Sequence, residues 1–516
     1  MPDPYYITTA IHYPNGKPHI GHAYETIAAD VMARYKRLRG FDVRFQTGTD
    51  EHGLKMAQKA RELDMTPAAL ADEMSSYFSG LFDKLHITHD RFIRTSEEAH
   101  HAASQELWRR MEASGDLYLD RYEGWYSIRD EAYYDEKELT EGDGGEKLSP
   151  QGTPVEWTVE ESWFFRLSKY QQPLLDLFEA NPEFVRPASR LNEVRSFVEG
   201  GLRDLSISRT SFDWGVKVPG AEDHVMYVWV DALTNYLTGL GFPGETEDMA
   251  KFWPADVHLI GKDIVRFHAV YWPAFLMSAG ITLPKQVYAH GFLLNRGQKE
   301  SKSLGNVTDP GELADKFGVD VLRYFLLREF SFGQDGSYSD AAIVSRSNSE
   351  LANSFGNLAQ RVLGFVAKNC DGGLEASAAA TDADDALWQQ VRDACANDLP
   401  TAFDELAFAA GLEAWMQAVY ACNQYVDEQA PWALRKTDPE RMERVLATLC
   451  DCTRALAIAV TPVIPSSSAK ILDTMNIAAD QRDFAAIDNR IADGRLDVTK
   501  PSPVFPRLDM PEGGAA

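Results

Sequence analysis

Strand-like and helix-like patterns alternate from the start of the chain. Residues 6 to 11 alternate in the manner of a strand, and apolar residues then recur at helical spacing from 19 to 39. A second strand is predicted over 42 to 48 and a second helix from Gly53. Because strand and helix follow each other in this way, the pattern predicts an α/β domain built on a parallel sheet.

The pattern changes twice further along the chain. From about 117 to 219, short aromatic-rich runs are separated by acidic and glycine-rich turns, which predicts a small inserted domain. Strand-like segments are expected again at 224–230, 256–260 and 286–290, so the insert divides the α/β domain. Beyond about 345 no further strand is predicted. Helical spacing there covers 347–366, 386–398, 402–429 and 438–460, with a low-complexity linker at 376–385, and predicts an all-α bundle.

Composition and charge limit the functions that the chain can have. Its 516 residues are 44% hydrophobic and 25% charged, as in ordinary folded proteins. A net charge of −27 excludes a uniformly basic nucleic-acid coat but allows local basic surface. No apolar stretch reaches the roughly 18 residues of a membrane-spanning helix, and the first residues lack the pattern of a signal peptide. All five cysteines lie in the last third without disulfide-like spacing, so a reducing, cytoplasmic location is expected.

Two histidines stand at the start of the first predicted helix, in the segment His19-Ile20-Gly21-His22. The N-terminus of a helix presents free backbone N–H groups and partial positive charge, which suit a phosphate. His19 and His22 share one helix face, and each can donate a hydrogen bond to an anionic oxygen. Gly21 lets a flat ring approach the backbone. In isolation such a pair is more often structural, but its place after the first strand of an α/β sheet favours nucleotide binding.

A second candidate site is the loop Lys299-Glu300-Ser301-Lys302-Ser303, which has a glycine on either side. The glycines predict a mobile loop, and two lysines flanked by hydroxyl groups can stabilise a departing pyrophosphate. Taken alone, the same residues describe an ordinary solvated loop.

In combination, the two motifs resemble the H-I-G-H and K-x-S-K-S signatures of the class I aminoacyl-tRNA synthetases. The resemblance covers nearly the whole chain, and Glu300 departs from it because the family usually has methionine there. It implies that His19, His22, Lys299 and Lys302 are catalytic. The ATP site that the resemblance implies comprises His19, Gly21, His22, Glu25, Lys299, Ser301, Lys302 and Ser303, with Mg²⁺ accompanying ATP.

Segments 10–13, 228–236 and 261–268 resemble the methionyl-tRNA synthetase family in particular. The methionine site implied by this resemblance comprises Ala10, Ile11, Tyr13, Asp50, Trp229, Ala232, Leu233, Tyr236, Asp263, Ile264 and His268. Asp50 would hold the substrate ammonium group, and Asp263 would lie near the ribose or the ammonium group. Aromatic rings suit a thioether, because sulfur–aromatic contacts add about 0.3–1.5 kcal/mol. Trp229 and Tyr236, each taken singly, would instead be assigned to the core.

By the same resemblance, the helical bundle reads the anticodon of tRNA(Met), initiator and elongator, through Asn357, Arg361 and Trp432. Asn357 and Arg361 are four residues apart and therefore lie on one helix face. Amide and guanidinium groups can bind base edges, and an indole can stack on an unpaired base. Without the resemblance, the first two would belong to a solvated face, and Trp432 would be a helix-start anchor after Pro431.

The composition of the insert separates this chain from several relatives in the class. Cysteine and histidine are absent between 117 and 219, so the zinc knuckle that often occurs in this family is expected to be missing. The lack of cysteine before Cys370 also argues against the cysteinyl enzyme. The insert is too short for the editing domain of the isoleucine, valine and leucine enzymes. The chain lacks the additional C-terminal RNA-binding domain through which some relatives dimerise, so a monomer is expected.

The sequence thus predicts a Rossmann-like parallel-sheet catalytic domain, split by an insert and followed by a helical bundle. The expected units are 1–116 (catalytic domain, first half), 117–219 (connective insert), 220–290 (catalytic domain, second half), 291–345 (linker domain with the lysine loop), 346–499 (anticodon-binding bundle) and 500–516 (tail). The expected reaction is ATP-dependent activation of methionine and its transfer to tRNA. Two alternatives stay open at this stage: an adenylate-forming ligase of the same fold with a small-molecule acceptor, and a non-catalytic tRNA-binding relative.

Overall fold

The computed structural model of the chain describes residues 2–128, 132–142, 144–295, 298–299, 307–375, 378–490 and 494–510. Its strands are β1 (Pro4–Thr9), β2 (Asp42–Thr49), β3 (Arg91–Arg94), β4 (Leu117–Ser127), β5 (Ala132–Tyr134), β6 (Thr140–Glu141), β7 (Lys147–Leu148), β8 (Glu156–Phe165), β9 (Val185–Arg186), β10 (Leu205–Ser206), β11 (Ser208–Arg209), β12 (Lys217–Val218), β13 (Ala221–Met226), β14 (Val257–Gly261), β15 (Val287–His290), β16 (Leu293–Asn295), β17 (Gln298–Lys299), β18 (Gly336–Tyr338), β19 (Gly373–Leu374) and β20 (Leu496–Asp497).

The helices divide between the two halves of the chain. Those up to residue 346 are α1 (Ile20–Leu38), α2 (Leu54–Glu62), α3 (Pro67–Lys84), α4 (Glu98–Ala113), α5 (Gln171–Ala180), α6 (Ala188–Glu199), α7 (Val228–Thr238), α8 (Glu247–Phe252), α9 (Trp272–Ser278), α10 (Pro310–Phe317), α11 (Val319–Glu329) and α12 (Asp340–Arg346). The later ones are α13 (Asn357–Asn369), α14 (Asp382–Asp393), α15 (Leu399–Asp404), α16 (Phe408–Gln429), α17 (Pro431–Thr437), α18 (Pro439–Val460) and α19 (Pro465–Thr474). π-helical turns cover Phe267–Tyr271, Ser347–Gly356 and Ala394–Asp398.

Among the described residues, a parallel sheet forms in the order β3-β2-β1-β14-β15-β9. Ile7 in its centre lies opposite Phe45 on one side and Val257 on the other. The strands predicted at 6–11, 42–48, 256–260 and 286–290 are confirmed within two residues at each end. Because the chain runs outward from β1 in one direction through β2 and β3, and in the other through β14 and β15, a crevice is expected at the carboxyl ends of β1 and β14.

The strand predicted at 224–230 is not part of this sheet. Strand β13 pairs instead with β11 and β12 in a small antiparallel sheet, and helix α7 begins at Val228. Nearly every residue of α7 is buried. The run 228–230 that ends the predicted strand is apolar throughout, and so short a run cannot be distinguished from a buried strand by its period.

The segment 117–219 forms its own antiparallel sheet of β10, β8, β4 and β5, in which β4 and β8 pair over ten residues from Leu117↔Phe165 to Tyr126↔Glu156. Strand β9 from the same segment behaves differently. It joins the edge of the parallel sheet beside β15. A strand of two residues carries no period that the sequence could reveal.

The C-terminal half is the predicted helical bundle, with three local corrections. The helix predicted over 402–429 is interrupted between α15 and α16, where Leu406 has a φ of 57°. Helix α14 begins at Asp382, inside the predicted linker, because Thr381 and Asp384 form a reciprocal cap. Strands β19 and β20 form a short ladder where no strand was predicted. No described helix is both long enough and apolar enough to cross a membrane.

Helix α1 connects the sheet to the bundle. Its start lies at the carboxyl end of β1, and its second half is packed against the bundle. The hydroxyl of Tyr35 donates to the carbonyl of Pro400 at 3.1 Å, and its ring contacts Phe403 and Phe484 edge-on. One apolar core therefore runs from the sheet through α1 and α11 into the bundle.

Candidate active site

A cavity of about 390 Å³ opens at the carboxyl ends of the central strands, where the strand order predicts a crevice. Residues that follow β1, β14 and β15 contribute to its lining. Of the residues predicted to bind ATP or methionine, the lining includes Ala10, Ile11, Tyr13, His19, Gly21, His22, Glu25, Asp50, Trp229, Asp263 and Ile264. Segments far apart in the sequence thus meet around one cavity.

His19 and His22 cap helix α1 reciprocally. Nδ1 of His19 accepts a hydrogen bond from the backbone N–H of Gly21 at 3.1 Å, and Nδ1 of His22 accepts one from the N–H of His19 at 3.0 Å. The two rings stack with their centroids 3.8 Å apart. Because each Nδ1 acts as an acceptor, the proton of each neutral ring resides on Nε2. The cap therefore selects the tautomer that offers an Nε2–H donor at a helix N-terminus.

Glycine at position 21 is required by this arrangement. A Cβ atom on Gly21 would lie 2.9 Å from Cε1 of the His19 ring. Any side chain would displace the ring that caps the helix, so the close approach of ring and backbone depends on glycine.

His12 lies beneath this pair in the wall of the cavity. Its ring packs edge-on against His22 at 4.8 Å and stacks on Phe78 at 5.4 Å. Burial, assisted by His19 and His290, lowers the pKa of His12 to about 3. His12 is therefore a neutral spacer at physiological pH and does not compete with His22 for a phosphate.

Glu25, three residues after His22 in α1, forms a buried pair with His290. The Glu25 carboxyl and Nε2 of His290 are 2.9 Å apart, and Nδ1 of His290 donates to the carbonyl of Gly291 at 2.8 Å. Burial raises the pKa of Glu25. Burial alone would lower the pKa of His290, but the contact with Glu25 raises it above its ordinary value. The second carboxyl oxygen of Glu25, Oε1, is buried without a protein partner, and the residue lines the cavity.

Asp50 stands at the end of β2 on a tightly held loop. Its N–H donates to the carbonyl of His12 at 2.9 Å. Glu51, the next residue, accepts from Arg94 at 2.7 Å, and the hydroxyl of Tyr13 donates to the carbonyl of His52 at 3.1 Å. These contacts direct a carboxylate at the cavity from a rigid support, as an ammonium ligand requires.

The remaining predicted pocket residues, Ala232, Leu233, Tyr236 and His268, are buried in the wall behind this lining. The hydroxyl of Tyr236 donates to Nε2 of His268 at 2.6 Å, and Nδ1 of His268 donates to the carbonyl of Ile264 at 3.0 Å. Trp229 stacks face to face on Phe267 at 3.8 Å. The wall is therefore aromatic, with its polar atoms bonded to one another.

Acid is expected to destabilise the protein partly through His268. Burial lowers its pKa to about 4, whereas an unfolded imidazole titrates near 6.5. The contribution of neutral His268 to the free energy of unfolding is fully present above about pH 6.5. It is lost as the pH falls towards 4, because the unfolded state takes up the proton first. That shift corresponds to about 3 kcal/mol. Denaturant unfolding of wild type and His268→Gln at several pH values measures it.

The glutamine variant should lack this part of the pH dependence, while His12 and the other titrating groups contribute equally to both proteins. Parallel curves of unfolding free energy against pH for wild type and His268→Gln would contradict the prediction.

The lysine loop is described only at its beginning. The backbone of Lys299 lies in β17, which pairs with β16, and β16 starts at the cavity-lining Leu293. Ser301, Lys302 and Ser303, together with Glu300, fall outside the described residues. The hairpin that leads into the loop thus starts at the edge of the cavity.

Several lining residues were not singled out from the sequence. They are His12, Ile20, Lys55, Val228, Gly261, His290, Gly291, Phe292 and Leu293. Gly261 and His290 end strands β14 and β15, so the rule that ligands bind at the carboxyl ends of parallel strands could have found them. Lys55 lies in the first turn of α2, 5.1 Å from the centre of the Tyr13 ring, and had no signal beyond its charge.

The three predicted anticodon residues lie in the bundle, far along the chain from the cavity. Asn357 begins helix α13, and Arg361 follows one turn later. The guanidinium of Arg361 lies 5.6 Å from the centre of the Trp432 ring and donates to Asp427 at 2.6 Å. Trp432 is 49% exposed. An exposed indole beside a guanidinium is a surface on which an unpaired base can stack.

The described residues contain no group of three or more histidine, cysteine or acidic side chains placed to hold a metal ion. The zinc-free insert stays a prediction from composition.

The split parallel sheet, the histidine-capped helix at the carboxyl end of β1 and the attached bundle define a class I aminoacyl-tRNA synthetase. Residues 5–363 match the family model for class I tRNA synthetases (M), and residues 374–509 match the anticodon-binding domain of methionyl-tRNA ligase. The chain belongs to the methionyl-tRNA synthetase family. It is an enzyme that uses ATP to activate methionine and charges tRNA with it, as the sequence predicts, and the two alternative functions are set aside.

Individual relatives match this chain along nearly their whole length. The chain is 57% identical over 503 residues to the methionine–tRNA ligase of Brucella suis, with 98% of each chain covered. It is 55% identical to that of Mycobacterium tuberculosis over 514 residues, with 99% of each covered. The structure of the M. tuberculosis enzyme bound by methionyl-adenylate matches with a TM-score of 0.95 at 55% identity, covering 98% of this chain and 100% of that one.

Proposed function

We propose that the cavity at the start of α1 is where the methionine carboxylate attacks the α-phosphate of ATP. The bond from the α-phosphorus to pyrophosphate breaks as the new bond to the carboxylate oxygen forms. Charge grows on the phosphate oxygens in this step, and the Nε2–H groups of His19 and His22 are suited to bind them. The reciprocal cap that sets both tautomers is the observation that carries this proposal.

The other roles are assigned from the residues at the same cavity and, for the lysine loop, from its sequence motif. Asp50 binds the substrate ammonium group, and the aromatic wall formed by Trp229, Tyr236 and His268 holds the thioether. Glu25 contacts ATP, and Asp263 lies near the ribose or the substrate ammonium group. Lys299 and Lys302, with Ser301 and Ser303, stabilise the pyrophosphate as it leaves, and ATP enters with Mg²⁺.

Pyrophosphate–ATP exchange without tRNA tests the assignment of the amino-acid site. Asp50→Asn is expected to raise the KM for methionine by about 10- to 100-fold, because a charge-assisted hydrogen bond of about 1.5–3 kcal/mol is lost. The KM for ATP should stay near that of wild type. An unchanged methionine KM, or an equal rise for ATP, would reject the ammonium role of Asp50.

We also propose that Asn357, Arg361 and Trp432 bind the anticodon of both initiator and elongator tRNA(Met). Stacking of a base on an aromatic side chain is worth about 1–3 kcal/mol. Trp432→Ala is therefore expected to raise the KM for tRNA in aminoacylation by about 5- to 150-fold.

Exchange without tRNA should be unaffected by Trp432→Ala, since the residue lies in the bundle. Leu63→Ala, which removes another exposed apolar side chain, serves as the matched control and should change neither assay. A Trp432 variant with normal tRNA kinetics would contradict the proposal.

The working form of the enzyme is proposed to be a cytoplasmic monomer. All five cysteines are free thiols, four of them buried, which suits a reducing compartment. Molecular mass in solution, measured by light scattering at concentrations used for assays, tests the monomer.

A further inference from the structure

Asp231 is a buried carboxylate to which the roles above assign no function. It lies in the first turn of α7 and has no exposed surface. One carboxylate oxygen accepts a hydrogen bond from Nδ1 of His52 at 2.6 Å, and the other accepts one from Nε2 of His100 at 2.7 Å. Burial alone would raise the pKa of this carboxyl, but the two histidines hold it well below its usual range. Asp231 is therefore ionised at neutral pH.

These three residues come from three separate parts of the fold. His52 follows Asp50 by two residues, on the loop after β2, whereas His100 lies in α4 and is itself buried. The hydrogen bond from His52 therefore ties this loop to α7. The indole N–H of Trp214 donates to the carbonyl of Glu51 at 2.6 Å and gives the loop a further contact.

Helix α7 also carries the amino-acid pocket. Trp229 stands two residues before Asp231, Ala232 and Leu233 follow it, and Tyr236 lies just over one turn further on. A bound methionine would reach from Asp50 at its ammonium end to this helix at its thioether end. The hydrogen bond between His52 and Asp231 joins these two ends of the site directly.

We propose that Asp231 is a positioning residue that sets the distance between Asp50 and helix α7, and with it the length of side chain that the enzyme accepts. The inference rests on the proposed roles of Asp50 and the α7 pocket. A carboxylate that accepts two charge-assisted hydrogen bonds from opposite sides has little freedom to move. Asn in its place has one acceptor oxygen and no charge, so it cannot accept from both imidazoles, and the charge that strengthens both bonds is lost.

Exchange kinetics with methionine and ethionine provide the test. Ethionine is one carbon longer than methionine. One methylene is worth roughly a 10- to 200-fold preference in an apolar pocket. Asp231→Asn is expected to raise the KM for methionine about tenfold, to leave the KM for ATP unchanged, and to reduce the preference over ethionine by about tenfold.

A matched control is available at Asp116, another buried carboxylate that accepts hydrogen bonds from Tyr170 and Ser278. Asp116→Asn should lower the melting temperature but leave the methionine KM and the length preference as in wild type. An equal change in this control would show that any loss of a buried carboxylate perturbs the pocket, and would overturn the inference.

Two substitutions at His52 keep the test decisive if Asp231→Asn fails to fold. His52→Asn retains an N–H group near the position of Nδ1 and should behave almost like wild type, whereas His52→Leu removes the donor and should match the effect expected of Asp231→Asn. If both His52 variants discriminate between methionine and ethionine normally, Asp231 does not act through His52.

Asp50→Asn separates this inference from the proposed site. A raised methionine KM in Asp50→Asn with normal kinetics in Asp231→Asn would overturn the inference and leave the role of Asp50 intact. If Asp50→Asn is normal, the proposed ammonium site is wrong, and an effect of Asp231→Asn alone would then contradict a role in spacing.

Discussion

His22→Ala is expected to lower the rate of methionyl-adenylate formation by about 10²–10³, the usual cost of removing one donor to a charge that grows in the transition state. The structure gives His22 two separate functions. Its Nδ1 accepts the His19 N–H and helps to cap α1, while its Nε2–H is the donor proposed for the phosphate. Pre-steady-state or exchange measurements report the second function directly.

His22→Asn separates the cap from the chemistry. Its side-chain oxygen can replace Nδ1 as the acceptor of the cap, but it has no group at the position of Nε2. We expect this variant to melt near the wild-type temperature and still to lose most of the rate. A His22→Asn enzyme with full activity would mean that His22 serves only the helix, and the proposed phosphate contact would be wrong.

Arg323→Met is expected to destabilise the protein by about 3–5 kcal/mol, because it removes the fully buried partner of Asp30 and the donor to three carbonyl groups. The Arg323 guanidinium is fully buried and donates to Asp30 at 2.6 Å. It also donates to the carbonyls of Leu85, Pro462 and Val463, each within 3.0 Å. One side chain thus joins α1, the end of α3 and the turn between α18 and α19.

Arg34→Met is the matched control, because Arg34 contacts the same Asp30 carboxylate at 2.8 Å but is 21% exposed. Removal of such a partly solvated partner is expected to cost about 1 kcal/mol or less. Denaturant unfolding, followed at the first transition since a chain of this size need not unfold in one step, compares the two variants. Equal losses of stability would contradict the special role of Arg323.

Much of the candidate site could be predicted from the sequence because its signals are local. The histidine pair with its intervening glycine needs only the start of one helix, and the cap that sets the tautomers is made by residues three apart. The predicted helix start was correct within one residue, with His19 as the cap. Lys55 carried no comparable pattern, and only the tertiary structure placed it in the cavity.

Errors occurred where burial removed the local signal. The first residues of helix α7, Val228–Val230, were taken for the end of a strand because this short run is apolar throughout. The edge strand β9 was missed because two residues show no period. The same loss of signal applies to Asp231, since one acid in an apolar run gives no indication that it pairs with histidines 131 and 179 residues away.

The sequence by itself determined the fold class, the order of the units, the motifs at the ends of helices and strands, and through them the family. These features depend on spacing along the chain, which fixes the faces of helices and strands before any packing occurs. Tertiary structure alone decided which residues share the cavity, which buried carboxyl groups stay ionised, and how α1 joins the catalytic sheet to the bundle. Those properties depend on distances between atoms that are remote in the chain, and on water excluded from between them.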